Sequence, residues 1–234
     1  MSSVRLAVIG DGRMGRAVAD LAPERGFTVV TQFGERGDAQ GRPLGPASLA
    51  GVEVAIEFTV PSAAPANVRA CLAAGVPVVV GTTGWHDSLD AIVAEVHAAK
   101  GALLHAPNFS PGVVLFTELV RDAAARLARL PGVGLHLVDV HHAAKLDAPS
   151  GTARALAAAA RDGAGTDVPI TSIRTGHVPG THTLVADAPF EQITLVHEAR
   201  DRRVFADGAL AAAAWLVGRR GVFTMRHVLG LDPT

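Results

Sequence analysis

The first half of the chain alternates short apolar runs with longer segments rich in alanine. The apolar runs occupy residues 4–9, 28–33, 53–58, 76–80 and 102–105. Runs of this length, bounded by turn residues, are typical of buried parallel strands. Segments with the composition of helices lie between them, at residues 16–21, 63–74 and 85–99. This repetition of strand and helix predicts an α/β domain built on a parallel sheet.

The second half of the chain has strands in which polar and apolar positions alternate. A long helix at residues 114–130, an apolar strand at 133–140 and an alanine-rich helix at 153–160 come first. Strand character follows at residues 170–175, 181–187, 191–199 and near Val204, and a last apolar helix lies at 208–217. This pattern predicts an α+β domain whose open antiparallel or mixed sheet is covered by helices on one face.

The composition of the 234-residue chain narrows its class. With 49% hydrophobic and only 4% aromatic residues, its core must be built from alanine, valine and leucine. The net charge of −1 gives no basic surface for nucleic acid, and no apolar run approaches the ~20 residues that span a bilayer. The single cysteine, Cys71, excludes an internal disulfide and lies on an apolar helix face, which favours packing over nucleophilic chemistry. We expect a cytoplasmic protein, since the chain enters its first strand without a signal-peptide pattern.

A glycine-rich turn follows the first predicted strand. It consists of Gly10, Asp11, Gly12, Arg13, Met14 and Gly15, which form a G-x-G-x-x-G motif. Glycine permits a tight turn and the close approach of backbone N–H groups to a pyrophosphate. Because a strand, a helix and a second strand surround the motif, it predicts a Rossmann-like, dinucleotide-binding domain rather than an ordinary glycine turn.

Two charged residues at the end of the second strand bear on the choice of dinucleotide. Glu35 stands where a carboxylate binds the ribose hydroxyls of NAD, and Arg36 could bind the 2′-phosphate of NADP. Since both are present, the sequence leaves NADH and NADPH open, and a solvated turn is the alternative for both residues. Gly81, Thr82 and Thr83 follow the fourth strand, at the carboxyl edge of the sheet, where ligands bind.

The stretch of residues 139–153 carries the remaining candidate chemistry. Ser150 is a good N-cap residue, and the N–H groups of Gly151 and Thr152 would be exposed at the start of the following helix. Such a start favours an anion, because its N–H groups and the helix dipole both present positive charge. Lys145 adds a second positive group, so we expect this loop to bind a carboxylate or a phosphate.

His141 and His142, in the same stretch, can gain or lose a proton near neutral pH, so the loop could move a proton beside the bound anion. A polar strand edge and an ordinary helix cap are the alternatives, and only the joint occurrence of these residues favours a site. Zinc is another alternative for a chain with ten histidines. We expect no metal, because structural zinc sites usually use cysteine and adjacent strand residues point apart.

With these residues the chain resembles the 4-hydroxy-tetrahydrodipicolinate reductase family, also called the dihydrodipicolinate reductase family. Residues 139–153 resemble its motif E-x-H-H-x-x-K-x-D-A-P-S-G-T-A, and residues 12–15, 81–84, 108–110 and 197–215 match further family segments. The resemblance covers nearly the whole chain. The departures are Asp139 where glutamate is usual, Ala144 where a basic residue is common, a shorter glycine loop, and a short stretch between Arg174 and Phe205.

The resemblance implies an NAD(P)H-dependent oxidoreductase of lysine and diaminopimelate biosynthesis. Such an enzyme reduces a small dicarboxylate, 4-hydroxy-tetrahydrodipicolinate, to tetrahydrodipicolinate, with NADH or NADPH as cofactor. The implied domains are a dinucleotide-binding domain at residues 1–110, completed by 204–234, and a substrate-binding and oligomerisation domain at 111–203. A homotetramer is implied, and neither nucleic acid nor a membrane is expected as a partner.

The resemblance also implies roles for individual residues. His141 is implied to be the catalytic acid/base, and Lys145 the proton donor. The implied substrate contacts are His142, Gly151 and Thr152, beside the Ser150 cap. The implied cofactor contacts are Gly10, Asp11, Gly12, Arg13, Met14, Gly15, Gly81, Thr82, Thr83, Ala106, Pro107, Asn108 and Phe109.

Two other classes of protein share parts of this pattern. A different nicotinamide dehydrogenase would keep the glycine motif, but an aldehyde-oxidising member would need a catalytic cysteine in a loop, where Cys71 does not lie. A non-enzymatic dinucleotide sensor would have no need for His141, Lys145 and the Ser150 helix start together. Turnover of reduced nicotinamide with the pathway imine would distinguish the reductase from both classes.

Overall fold

A computed structural model describes residues 3–233 of the chain. Its strands are β1 (Val4–Ile9), β2 (Phe27–Phe33), β3 (Val54–Glu57), β4 (Val78–Val80), β5 (Ala102–His105), β6 (Gly134–His141), β7 (Ile170–Arg174), β8 (Thr181–Asp187), β9 (Gln192–Glu198) and β10 (Gly221–Phe223). Its helices are α1 (Arg13–Leu21), α2 (Ala64–Ala73), α3 (Leu89–Ala98), α4 (Pro111–Leu127), α5 (Gly151–Ala164), α6 (Arg203–Leu216) and α7 (Met225–Val228), with short 3-10 turns at Ala22–Arg25 and His86–Ser88.

These elements form two compact units. The first runs up to Ser110 and resumes at Arg203, and the second is Pro111–Arg202. Within the described part of the chain, every helix is too short or too polar to cross a membrane.

The first unit is built on a six-stranded sheet in the order β10-β5-β4-β3-β1-β2, in which every neighbouring pair is parallel. Strands β3 and β4 are buried at every residue, which explains why parallel strands appear in the sequence as continuous apolar runs. The chain passes from β1 to β2 on one side and returns to β3 on the other, so the strand order reverses beside β1. Ligands bind outside the strand ends at such a reversal. The predicted Rossmann-like domain is confirmed.

The second unit carries a four-stranded mixed sheet in the order β7-β6-β8-β9. Strands β6 and β7 are parallel, whereas the β6–β8 and β8–β9 pairs are antiparallel. Helices α4 and α5 pack together, and their side chains meet the sheet in a core that includes Phe116, Leu137, Leu156 and Leu184. The predicted α+β domain with an open mixed sheet is therefore confirmed. The face opposite this core carries the β-branched residues Val138, Val140, Ile173, Thr183, Val185 and Val196.

Three elements differ from the sequence-based prediction. The segment near Val204 is not a strand but the first turn of α6, because packing of the buried α6 face on β3, β4 and β5 overrides local strand preference. Strand β10 is too short for a periodic pattern and exists through its pairing with β5. Helix α4 begins at Pro111 rather than residue 114, since proline is well tolerated in the first turn of a helix.

Glu57, the last residue of β3, is a carboxyl group with no exposed surface. Its Oε1 accepts hydrogen bonds from the Thr59 N–H at 3.1 Å, from Asn67 Nδ2 at 3.3 Å and from the Thr59 hydroxyl. Its Oε2 has no hydrogen-bond partner among the described residues. Burial raises the pKa of Glu57, because it penalises the charged form more than these hydrogen bonds stabilise it. Cys71, in α2, is also buried, and burial raises the pKa of its thiol to about 12.

We expect Glu57→Gln to change how stability depends on pH. A carboxyl group whose pKa is raised in the folded state binds its proton more tightly there, so stability is lost as pH rises from the ordinary value of 4.5 through the raised one. Glutamine does not ionise, so the variant should escape this loss, which amounts to roughly 1.4 kcal/mol for each unit by which the pKa is raised. The measurement is the free energy of urea unfolding of both proteins, from about pH 4.5 to about pH 8.

Glu24→Gln is the matched control for this experiment, because Glu24 is exposed in the turn after α1. The control removes one carboxyl group without touching the core. Parallel stability profiles for the wild type and Glu57→Gln would contradict the prediction.

Candidate active site

A cavity of about 620 Å³ lies in the first unit, beyond the carboxyl ends of β1, β2 and β3. The carboxyl ends of parallel strands meet at one edge of a sheet, so residues distant in the sequence converge there. The glycine turn after β1 and the charged residues after β2 thus share one cavity. Of the predicted site residues, its walls include Gly10, Asp11, Gly12, Glu35 and Arg36.

Glycine is required at two positions of the turn between β1 and α1. Gly10 has a φ of +119°, and a Cβ there would lie 2.1 Å from the carbonyl oxygen of Phe58. A Cβ at Gly15 would lie 2.1 Å from the carbonyl oxygen of Gly10, so α1 could not approach the turn. Gly12 caps α1 without a side-chain hydrogen bond. The helix start therefore offers backbone N–H groups to a ligand, as a pyrophosphate site requires.

Two smaller cavities lie along the same edge of the first unit. One, of about 370 Å³, is lined by Gly12, Arg13, Met14, Phe58, Thr59, Pro61, Gly81, Thr82 and Thr83. The other, of about 20 Å³, is lined by Thr82, Thr83, Trp85, His86, Leu89, His105, Ala106 and Pro107. The predicted cofactor residues after β4 and β5 therefore meet the glycine turn at one sheet edge, a donor set that fits a dinucleotide.

Asn108 and Phe109 lie in the segment that follows β5 and support the cavities at this sheet edge. Phe109 is buried and packs edge to face on Phe58, with 5.8 Å between ring centroids. Asn108 Oδ1 accepts a hydrogen bond from the Ser110 N–H at 2.8 Å, which holds the turn after β5 in shape.

In the second unit, Ser150 is the N-cap of α5, which confirms the predicted helix start. Its hydroxyl oxygen accepts a hydrogen bond from the Ala153 N–H at 3.0 Å. Gly151 and Thr152 form the first turn, with Gly151 exposed and Thr152 half-buried. The N-terminal end of α5 therefore reaches the surface of the unit, where it favours an anion.

The carboxylate of Asp139, in β6, has no exposed surface and contacts the α5 cap directly. Its Oδ2 accepts hydrogen bonds from the Ser150 N–H at 3.0 Å, Arg174 Nη2 at 2.9 Å and the Ser172 hydroxyl at 3.2 Å. Its Oδ1 accepts from the Ser150 hydroxyl at 2.8 Å. Burial alone would raise the pKa of Asp139, but the hydrogen bonds from Ser150 and Arg174 outweigh burial and hold the pKa below its usual range. The group is therefore ionised at neutral pH.

Two histidine rings lie against the same carboxylate. Nε2 of His141 is 3.0 Å, and Nε2 of His182 is 3.4 Å, from Oδ1 of Asp139. The two rings meet edge to face at 5.3 Å, and His182 also stacks on His197. Burial lowers the pKa of both rings more than the charge of Asp139 raises it, and the pKa of His182 falls to about 4. Burial therefore favours the neutral form of both imidazoles.

Lys145 and His142 lie in the loop between β6 and α5. Nζ of Lys145 is 2.7 Å from Oδ1 of Asp147. Arg174 Nη2 donates to the carbonyl oxygen of Asp147 at 2.7 Å, which ties the loop to β7. His141 ends β6 and is buried, whereas His142 lies beyond the strand and is half-buried. The two adjacent histidines therefore occupy different surroundings.

Asp139, His141 and His182 form a group whose potential ligand atoms lie within 4.8 Å of one another. A cation there would compete with the Arg174 guanidinium, 2.9 Å from the carboxylate, and with the two hydrogen bonds from Ser150. Because the positive charge is already supplied by arginine, this arrangement opposes a metal ion.

Sequence reasoning misses Ser172, Arg174 and His182 as members of this cluster. Ser172 and Arg174 lie 33 and 35 residues from Asp139, so spacing in the sequence does not connect them. The connection comes from strand register, since Asp139 faces Ser172 across the β6–β7 pair and His182 across the β6–β8 pair. The signal that could have found them is the set of polar positions that alternate with apolar ones along these predicted strands.

Family sequence models match nearly all of the chain. The model described as "Dihydrodipicolinate reductase, N-terminus" matches residues 4–109, and "Dihydrodipicolinate reductase, C-terminus" matches residues 112–229. Relatives named 4-hydroxy-tetrahydrodipicolinate reductase include that of Caulobacter vibrioides, 38% identical over 97% of this chain and 97% of the relative. The protein of that name from Christiangramia forsetii is 34% identical over 97% of this chain and 98% of the relative.

Solved structures share the fold. The dipicolinate-bound dihydrodipicolinate reductase from Paenisporosarcina sp. TG-14 has a TM-score of 0.81, with 21% identity over 95% of this chain and 97% of that chain. GenD2 from gentamicin A biosynthesis, in complex with NAD, has a TM-score of 0.59, with 15% identity over 100% of this chain and 88% of that chain. At these identities the likeness establishes the architecture of the chain alone.

Proposed function

The chain belongs to the dihydrodipicolinate reductase family, and we propose on that premise that it reduces 4-hydroxy-tetrahydrodipicolinate to tetrahydrodipicolinate with NADH or NADPH. This reaction is a step of lysine and diaminopimelate biosynthesis. The observation that carries the proposal is that both halves of the chain match this one family. The loop before α5 supports it, because a helix start and a lysine suit a dicarboxylate substrate.

The proposed cofactor contacts all belong to the first unit. Reduced nicotinamide supplies the hydride when it is bound. We propose that residues 10–15 hold the pyrophosphate at the start of α1, while Glu35 and Arg36 bind the adenosine ribose. Residues 81–83 and 106–109 complete the proposed dinucleotide site.

The proposed substrate contacts belong to the second unit. One substrate carboxylate binds the start of α5 at Gly151 and Thr152, which the Ser150 cap holds in place, with His142 alongside. Lys145 binds a carboxylate as well as supplying a proton. The Asp147 carboxylate lies 2.7 Å from the Lys145 ammonium. A substrate carboxylate carries the same negative charge, so it can take the place of Asp147 beside Lys145.

The reaction also needs one proton. Loss of water from the 4-hydroxy substrate gives a conjugated imine, and hydride addition to that system leaves an electron-rich enamine. The enamine takes up a proton to give tetrahydrodipicolinate, so hydride and proton together balance the reduction. Burial lowers the pKa of His141, which disfavours the charged form of its ring that would donate a proton. We therefore propose that Lys145 donates the proton and that His141 orients the transfer.

Oligomerisation is proposed through the open face of the second sheet. Ile173 is 42% and Val196 is 56% exposed on this face, although both are large and apolar. A cluster of exposed and half-buried β-branched residues on a sheet face favours burial against another copy of the chain. We propose a homotetramer. A cytoplasmic location is proposed on separate grounds, since the only cysteine of the sequence leaves no internal disulfide.

Lys145→Ala should lower kcat by at least about a hundredfold, because general-acid catalysis contributes about 10² to 10⁴ in rate. Dinucleotide affinity should hardly change, since the proposed cofactor contacts lie in the first unit. The assay follows the absorbance of reduced nicotinamide with freshly made imine substrate, and dinucleotide affinity is read from fluorescence. His142→Ala should instead raise KM with little change in kcat.

Lys100→Ala is the matched control, because Lys100 is the only other lysine of the sequence and is exposed in the first unit. Near-normal kcat with weaker substrate binding in Lys145→Ala would make Lys145 a carboxylate clamp rather than a proton donor. Failure of the wild type to oxidise either nicotinamide with this imine would overturn the proposed function.

The cavity that contains both Glu35 and Arg36 predicts that NADH and NADPH are used with similar efficiency. Their kcat/KM values should agree within about tenfold, or about 1.4 kcal/mol of transition-state binding. Arg36→Ala should lower kcat/KM for NADPH more than for NADH, because only NADPH carries the 2′-phosphate. A preference of the wild type above about a thousandfold for either dinucleotide would show that one side chain dominates.

Light scattering should give the mass of four copies of the 24.0-kDa chain. Val196→Lys should dissociate the assembly, because it places a charge in the proposed interface. Val30→Lys is the matched control, since Val30 is a 37% exposed valine of β2 in the first unit. A monomeric wild type, or a Val196→Lys variant that keeps the wild-type mass, would contradict the proposed interface.

A further inference from the structure

The carboxylate of Asp139 connects three parts of the proposed substrate site. Through Ser150 it holds the cap of α5, where the substrate carboxylate is proposed to bind. Its Oδ1 lies 3.0 Å from the ring of His141. Arg174 joins it to the loop of Lys145, because one guanidinium nitrogen contacts both the Asp139 carboxylate, at 2.9 Å, and the Asp147 carbonyl oxygen, at 2.7 Å. A single fully buried group thus contacts the helix cap, the imidazole and the support of the lysine loop.

Stability alone does not account for this arrangement. A buried ion pair of aspartate and arginine costs solvation energy that its attraction barely offsets, and packed apolar residues often stabilise a protein as well. The Asp139–Arg174 pair contacts Ser150 and His141 of the proposed active site and the loop that holds Lys145. Its location and its partners therefore indicate a role in the reaction.

We propose that Asp139 is a positioning residue of the reductase reaction, which sets the α5 cap, the His141 ring and the Lys145 loop in fixed relation to one another. This inference rests on the proposed function. The carboxylate touches neither substrate nor cofactor in the proposed site, and it acts through Ser150, His141 and Arg174. Each contact is short, and the group has no exposed surface, so its position is well defined.

Asp139→Asn separates the charge of this group from its shape. Asparagine has one acceptor oxygen where aspartate uses two, and it leaves the guanidinium of Arg174 without a counter-charge. We expect kcat/KM for the imine to fall by about a hundredfold, the loss associated with a displacement of about 1 Å in an active site. The KM for NADH should stay within about twofold of wild type, since the change lies outside the cofactor site.

The pH profile provides a readout that a purely structural role would not move. His141 is faced by Asp139 from β6, Arg174 from β7, His182 from β8 and Lys145 from the loop. Only Asp139 among these groups is negative, so its removal disfavours the imidazolium form. The acid limb of kcat/KM should therefore shift to lower pH in Asp139→Asn. In Asp139→Asn/Arg174→Gln the loss of a positive charge opposes that shift, so the displacement should be smaller.

Further variants complete the experiment, among them Arg174→Gln alone. Asp139→Glu keeps the charge and both acceptor oxygens, and it should retain at least about ten times more kcat/KM than Asp139→Asn. Asp139→Asn/Arg174→Gln removes both charges. It therefore replaces Asp139→Asn in the kinetic test if that single variant fails to fold. Its kcat/KM should be no lower than that of Asp139→Asn, because both residues act through one contact. Asp162→Asn, at an exposed position of α5, is the matched control.

Two outcomes would overturn the proposal. One is wild-type kcat, KM and pH profile in a folded Asp139→Asn variant. The other is a double variant whose loss is the product of the losses measured separately in Asp139→Asn and in Arg174→Gln, since the two groups would then act independently. Lack of turnover by the wild type would instead refute the proposed function. In that case, binding of 2,6-pyridinedicarboxylate still tests whether Asp139 positions the anion site. Its binding is measured from the rise in melting temperature of the wild type and of Asp139→Asn. Equal rises in the two proteins would overturn the positioning role.

Discussion

A buried carboxylate must be surrounded by hydrogen-bond donors and positive charge, and the second unit is arranged to meet that requirement at Asp139. Strand β7 supplies Ser172 and Arg174, and the cap of α5 supplies both the N–H and the hydroxyl of Ser150. The turn into α5 and strand β7 are therefore both hydrogen-bonded to the charged group of Asp139. The same contacts leave the helix start facing outward, where an anionic ligand can reach it.

Each unit contains a buried acidic residue, and the neighbouring groups shift the pKa values of these two residues in opposite directions. Glu57 and Asp139 both lie at or near the end of a strand and have no exposed surface. Asp139 has a guanidinium at 2.9 Å, and its pKa is lowered. Glu57 has only neutral donors and one oxygen without a described partner, and its pKa is raised. The guanidinium therefore favours the ionised form of Asp139, whereas burial without a neighbouring cation disfavours the ionised form of Glu57.

The same edge geometry produces both candidate binding regions. In the first unit, parallel strands bring the glycine turn and the residues after β2, β3 and β4 to one side of the sheet. In the second unit, β6 ends at His141 and leads into the cap of α5, so a strand end and a helix start lie together. Each region offers backbone N–H groups at a helix start, which suits the pyrophosphate of a dinucleotide and the carboxylate of a small substrate.

The sequence by itself determined the features that depend on neighbouring residues. Strands at residues 4–9, 102–105 and 181–187 have the predicted bounds, and the glycine turn and the Ser150 cap lie where they are expected. Only the tertiary structure decided that Val204 lies in a helix, that β10 exists, and that Ser172, Arg174 and His182 surround Asp139. Periodicity and capping are local properties of the chain, whereas these outcomes depend on strand register and on packing between distant segments, which local sequence does not encode.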